Sequence, residues 1–325
     1  MTSEDIEYGL LDAVCVGASR IRISGRLEPT RSIVTCDDLD HPRKHRPAQL
    51  IRQRPAAMSS EFDKLPSAIR RNGRLKRLGR HDVPALLIAP ESTEDIPAPM
   101  IIWIHGRTAY KELDPGRYLR LMRSGIGICA VDLPGHGERS VPELQSSEHV
   151  LEVVMQMVNE LDDVTSAAID ELNADSSKLG IGGMSAGGMV TLARLCQPHS
   201  FVSASVEATS GNWKQQSRLP MLQATQAAAI ASADPIDHLE HWQEIPLQAV
   251  HCRADEWVSY QGQLEFIETL RSHYDNPDLI EFQTYERTGA LHEHVGFGSF
   301  SAEVKEMQRV FFQRHLQPAN TKEIP

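Results

Sequence analysis

The pentapeptide Gly183-Met184-Ser185-Ala186-Gly187 constrains the fold more tightly than any other part of the chain. It stands between an apolar run, Lys178-Leu179-Gly180-Ile181, and the segment from Gly188 to Cys196, whose apolar residues recur at helical spacing. A serine between two glycines at a strand-to-helix junction specifies a very tight turn, where a side chain at 183 or 187 would collide with the neighbouring strand or helix. The serine backbone is expected to be strained. Its Oγ is then held above the sheet, at the start of a helix whose free N–H groups favour negative charge.

From about residue 58 strand-like and helix-like segments alternate, which implies an α/β protein with a mostly parallel central sheet covered by helices on both faces. The expected strands are Ala85–Ala89, Met100–His105, Ile126–Asp132, Lys178–Met184, Phe201–Val206, Leu247–Cys252 and Ile280–Tyr285. Several are continuous apolar runs, as strands buried on both faces should be. Helices are expected at Gly116–Ser124, Val150–Asn173, Gly187–Gln197, Tyr260–His273 and Phe300–His315. Ala-rich helical character around Met221–Ala231 makes residues 207–243 a small helical lid insertion between two core strands. Trp213 and Trp242, within it, are read as buried packing rather than pocket walls. Residues 1–57 mix arginines, acids and prolines with little periodicity and read as a disordered extension, leaving 58–325 as the folded domain.

Three further segments supply chemistry to Ser185. After the second strand, Trp103-Ile104-His105-Gly106-Arg107-Thr108 is a His-Gly turn that exposes backbone N–H groups. The Arg107 and Ala186 N–H groups together form the expected oxyanion hole, where charge develops in acyl transfer. A catalytic acid is wanted beyond a strand after the nucleophile, and His251-Cys252-Arg253-Ala254-Asp255-Glu256-Trp257-Val258 offers Asp255, with Glu256 as its competitor. The base must follow the last strand, within Gly289-Ala290-Leu291-His292-Glu293-His294-Val295-Gly296. His294 is preferred because it lies nearer the final helix, and His292 is the alternative. His-x-His is also half of a metal site, but no further ligand cluster accompanies it. Asp132, in Asp132-Leu133-Pro134-Gly135-His136-Gly137-Glu138-Arg139, is read as bonding loop N–H groups, and His136 as a loop residue.

The order Ser, Asp, His is that of the α/β-hydrolase fold. On the elbow, His105–Glu112, Asp132–Arg139 and Asp255–Val258, the stretch from about 79 to 316 resembles α/β-hydrolases of the dienelactone hydrolase and prolyl-oligopeptidase-like esterase group. That resemblance implies a serine esterase working through an acyl-enzyme. A short-peptide peptidase and a catalytically idle binding module are the other readings. In 325 residues a large amino-terminal propeller that selects peptides is not expected, which ranks the peptidase reading lower. Serine in place of the cysteine of true dienelactone hydrolases means that their reaction is not implied.

Composition narrows the partners. A formal charge of −11 argues against nucleic acid and an anionic membrane surface; the small-molecule ester expected as substrate is what the resemblance implies. Neither cofactor nor metal is needed for the mechanism. The five cysteines (Cys15, Cys36, Cys129, Cys196, Cys252) form no Cys-x-x-Cys pair; Cys129, Cys196 and Cys252 fall in predicted elements as small buried hydrophobes. The acidic start, Met1-Thr2-Ser3-Glu4-Asp5, lacks a signal-peptide pattern, so a cytoplasmic location is expected.

Overall fold

Residues rich in Val, Ile, Leu and Ala, bounded by Gly and Pro, build the centre of an eight-stranded sheet. The computed structural model describes residues 60–91, 96–216, 219, 222–223 and 225–317. The extension expected over 1–57 lies outside these. In chain order the strands are β1 (Gly73–Leu78), β2 (Val83–Ile88), β3 (Ala98–Ile104), β4 (Gly127–Val131), β5 (Ala174–Met184), β6 (Phe201–Glu207), β7 (Leu247–Cys252) and β8 (Ile280–Tyr285). Their spatial order is β1-β2-β4-β3-β5-β6-β7-β8. β1–β2 and β2–β4 pair antiparallel, and every later pair is parallel.

The helices are α1 (Ser60–Lys64), α2 (Ser67–Asn72), α3 (Pro115–Arg123), α4 (Val150–Leu172), α5 (Ala186–Leu195), α6 (Ala227–Ala231), α7 (Tyr260–His273) and α8 (Ser301–Leu316). Local chemistry sets several boundaries. Asp114 caps α3 by accepting from the Arg117 N–H, and Pro115 supplies the first helical residue. Asn173 ends α4 in the left-handed conformation, at φ 49° and ψ 50°. Ser259 caps α7 through the Gly262 N–H at 3.0 Å.

Apolar stripes from α4, α5 and α7 close one face of the sheet with Ile102, Ile104, Ile181 and Val206. The other face takes α2, α3 and α8, with Phe312 of α8 in one cluster with Ile101, Trp103 and Ile128 of the sheet. All three cysteines expected to be buried are free thiols in the interior.

The expected strands and helices are present within a few residues, and α1, α2 and β1 are additions. The insertion between β6 and β7 is helical: Trp213–Gln216 and Pro235–Asp237 form single 3₁₀ turns on either side of α6. Part of it, including Met221, is outside the described residues. Trp213, Leu222 and Ile230 are buried in the core shared with α5 and α7, so this segment is anchored to the body of the domain. Trp242 is half-buried, packs edge-on against Phe266 and donates to the Tyr274 hydroxyl at 2.9 Å. Both tryptophans therefore pack, as expected.

Candidate active site

Topology fixes where a site belongs. The loop after β3 runs to β4 on one side, whereas the helix after β5 leads to β6 on the other. Open parallel sheets bind ligands at the carboxyl ends of strands where the direction reverses. Gly106-Arg107 follows β3 at that point, and Ser185 follows β5.

Ser185 sits at φ 53° and ψ −117°, a conformation that costs about 1–3 kcal/mol and persists only where its surroundings hold it. The Ser185 N–H donates to the Glu207 carbonyl at 2.9 Å. Its own carbonyl accepts from Met189 N at 2.9 Å and from Thr209 Oγ1 at 3.0 Å. The glycines leave no room for side chains. A Cβ on Gly187 would stand 2.1 Å from the Ile104 carbonyl oxygen, and one on Gly183 would stand 2.5 Å from the Gly187 carbonyl carbon. Ser185 itself is almost buried, 4% exposed.

His294 Nε2 lies 2.9 Å from Ser185 Oγ, and its Nδ1 lies 2.8 Å from Asp255 Oδ2. The other Asp255 oxygen accepts from the Trp257 and Val258 N–H groups, both at 2.8 Å, which fixes the carboxylate. The alternatives separate cleanly. His292 is partly exposed, 3.0 Å from Glu256 Oε2, and stacks on Trp257 at 4.9 Å between ring centres. The Glu256 N–H donates to the His292 carbonyl at 3.1 Å, tying the two loops together. The backbone is left-handed at His292 and Glu293, and the Trp257 ring packs against both imidazoles, 4.9 Å from His292 and 5.1 Å from His294.

On the β3 side, Gly106 lies against the elbow, where an added Cβ would come within 3.3 Å of Ser185 Cβ. Arg107 follows it, its guanidinium donating to the Gln145 carbonyl at 2.7 Å. Ala186 is the first residue of α5, so its N–H belongs to the unbonded first turn of that helix.

Four buried polar residues around this arrangement have side chains to which the sequence assigned no role. His105 donates from Nδ1 to the Gly106 carbonyl at 2.7 Å and accepts from the Leu133 N–H at Nε2, at 3.0 Å. Burial pushes its pKa down to about 4, against the pull of the Gly106 carbonyl, so the ring is a neutral strut in the turn. His251, fully buried, donates from Nε2 to the Val258 carbonyl at 3.2 Å and stands 3.6 Å from Asp255 Oδ2. Burial lowers its pKa as well. Arg117 and Glu207 form a buried ion pair at 2.8 Å, and the Glu207 carbonyl is the one that accepts from the Ser185 N–H. A carboxylate ending the apolar run of β6 was the one sequence signal for that pair.

Asp132 is fully buried and accepts from the Lys111 and Glu138 N–H groups at 2.9 and 3.0 Å, the loop-bonding role expected of it. His136 is buried within that loop, with Nδ1 2.8 Å from the Pro134 carbonyl. Among the described residues, no group of three or more His, Cys, Asp or Glu side chains is placed to hold a metal ion. Nor is any described helix long and apolar enough to cross a membrane.

The family model for the prolyl oligopeptidase family matches residues 121–319. The chain belongs to that family. The matched span carries Ser185, Asp255 and His294 and starts after the His105–Arg107 turn. Membership in the prolyl oligopeptidase family implies serine-hydrolase chemistry of the esterase or peptidase type. Among curated relatives, a putative esterase, YitV, of Bacillus subtilis (strain 168) is 25% identical over 221 residues, covering 62% of this chain and 86% of its own. The esterase YjfP of Escherichia coli (strain K12) is 24% identical over 202 residues, covering 58% and 81%. Solved structures share the fold. TT1662 from Thermus thermophilus superposes with a TM-score of 0.59 at 23% identity, covering 75% of this chain and 98% of its own. Pyrococcus horikoshii acylaminoacyl peptidase gives 0.62 at 17% identity, with 75% of this chain aligned to 41% of that one.

Proposed function

We propose that the protein is a serine esterase that hydrolyses small or medium carboxylic esters through an acyl-enzyme, with Ser185, His294 and Asp255 as its triad. The single observation supporting this is one imidazole in contact with both partners, 2.9 Å from Ser185 Oγ and 2.8 Å from Asp255 Oδ2. Ser185 Oγ attacks the ester carbonyl while His294 Nε2 takes its proton. Asp255 accepts the Nδ1 proton throughout, which fixes the tautomer and stabilises the imidazolium. The Arg107 and Ala186 backbone N–H groups receive the oxyanion. His294 then protonates the departing alcohol, and in the second half it deprotonates water to release the acid and restore Ser185.

Esterase is favoured over peptidase because the two curated esterases match over 86% and 81% of their own length, whereas the acylaminoacyl peptidase aligns over 41% of its chain. The rival activity is tested on matched p-nitrophenyl ester and p-nitroanilide substrates. The expected outcome is rapid ester turnover with an initial burst of nitrophenol equal to the enzyme, lost by about 10⁴-fold or more in Ser185→Ala. Faster anilide cleavage, after correction for intrinsic reactivity, would make it a peptidase.

A further inference from the structure

The loop after β7 carries a residue in contact with both the acid and the base. Trp257 donates its backbone N–H to Asp255 Oδ1 at 2.8 Å. Its ring centre lies 5.1 Å from that of His294, with 42° between the planes, which is direct ring-to-ring contact. His292 stacks on the same indole at 4.9 Å, with 24° between planes. His292 is held in turn by Glu256 Oε2, 3.0 Å from its Nδ1, and by the Glu256 N–H, which donates to its carbonyl at 3.1 Å. The half-buried indole therefore sits where the loop of the acid is tied to the loop of the base.

Acylation creates charge beside that ring. As Ser185 Oγ bonds to the ester carbon, the carbonyl electron pair moves onto oxygen and the Oγ proton moves to His294 Nε2, leaving an imidazolium. Few other charges face it. Asp255 Oδ2 is 2.8 Å from Nδ1. His251 stands 3.6 Å from that same oxygen, but burial lowers its pKa and it stays neutral. Glu256 is engaged by His292, and Glu293, next to His294 in the chain, by the Thr288 and Gly289 N–H groups and by Arg287 at 3.8 Å. An aromatic ring within about 6 Å attracts a cation through its quadrupole, and more strongly where water is excluded. Here Ser185 and His294 are only 4% and 3% exposed.

We infer that Trp257 is a positioning residue for the reaction: its indole steadies the His294 ring against Ser185 and favours the imidazolium over the neutral imidazole. The inference rests on the hydrolase function proposed above. It gives His292 a part as well, that of holding the indole rather than carrying the proton.

The test measures p-nitrophenyl acetate hydrolysis against pH in wild type, Trp257→Phe and Trp257→Leu. Trp257→Leu should lose about fivefold in kcat, the size of one sheltered cation–ring contact, with KM within about twofold. The acid limb of its kcat/KM profile should move to lower pH by about 0.7 unit, because the protonated ring of the free enzyme loses the same fivefold stabilisation. Trp257→Phe should fall between the two. Mere packing predicts the opposite sign: trimming the ring would admit water, ease protonation and move the limb to higher pH. Should Trp257→Leu not fold, a trifluorinated tryptophan placed at 257 keeps the ring's shape while draining charge from its face, and should move the limb in the same downward direction. A limb that stays in place or rises in either protein overturns the inference, as does an unchanged kcat in Trp257→Leu. Wild-type protein that takes fluorophosphonate at Ser185 and hydrolyses the ester, but whose profile ignores these changes, overturns the inference alone. Protein that does neither overturns the hydrolytic function with it.

Discussion

Ser185 pays for its position with a backbone torsion that few non-glycine residues adopt, and the contacts on its N–H and carbonyl hold it there. Removing its partners one at a time separates their roles. His294→Ala should cost about 10⁴-fold or more in kcat, since His294 Nε2 is the ring nitrogen 2.9 Å from Oγ, while His292→Ala should change it by less than about threefold. Equal losses in the two variants would show that the nearer contact is not the working one. Asp255→Asn should lower kcat by about 10³–10⁴-fold, because an amide offers the imidazole the wrong hydrogen-bond pattern. Rates from a p-nitrophenyl ester check all three. The placement of Ser185 and Asp255 near one another was legible because Ser185 directly follows β5 and Asp255 lies three residues past β7, each in a distinctive run. The choice between His292 and His294 was not legible in the same way. Distance to the last helix favoured His294, but what decides is which ring reaches Ser185 Oγ across a left-handed turn, a conformation that residues 292 and 293 do not advertise.

At the level of elements, the turn from β5 into α5 depends on backbone-to-backbone contact across to β3. Gly187→Ala would drive a methyl group into the Ile104 carbonyl, so the variant should lose about 3 kcal/mol or more of stability or fail to fold. Urea denaturation of the purified protein checks this, and a shift below about 1 kcal/mol would mean the turn has slack. The parallel strands were readable because their residues are buried on both faces and so apolar throughout. β1, Gly-Arg-Leu-Lys-Arg-Leu, was not, since an edge strand with three cations carries only Leu75 and Leu78 as apolar marks. β2 was read two residues late, because Pro84 near its start argues against a strand interior. Arg117 gave no sequence signal. It reads as an ordinary cation of an amphipathic helix, and only the approach of β6 turns it into half of a buried pair.

For the whole molecule, acid should be a sharper stress than its carboxylates alone suggest. His105 has an ordinary pKa of 6.5 when unfolded and about 4 when buried, so below 6.5 the unfolded chain binds a proton that the folded one refuses. Its contribution is intact above about pH 6.5 and is lost as pH falls towards 4, amounting to about 3 kcal/mol at most. His199, also pushed down to about 4 by burial, acts in the same direction. Denaturation at pH 7 and pH 5 should show this loss, and His105→Gln, which retains an acceptor for the Leu133 N–H, should flatten it. An unchanged slope would mean that the ring is not the group responsible. The central claim is that Ser185 is a nucleophile activated by His294. Mass spectrometry of the protein after exposure to a fluorophosphonate reads this most directly: one adduct per chain on the peptide containing Ser185, formed far more slowly in His294→Ala, is the result expected. An adduct on another residue, or none on the folded wild-type protein, would contradict it.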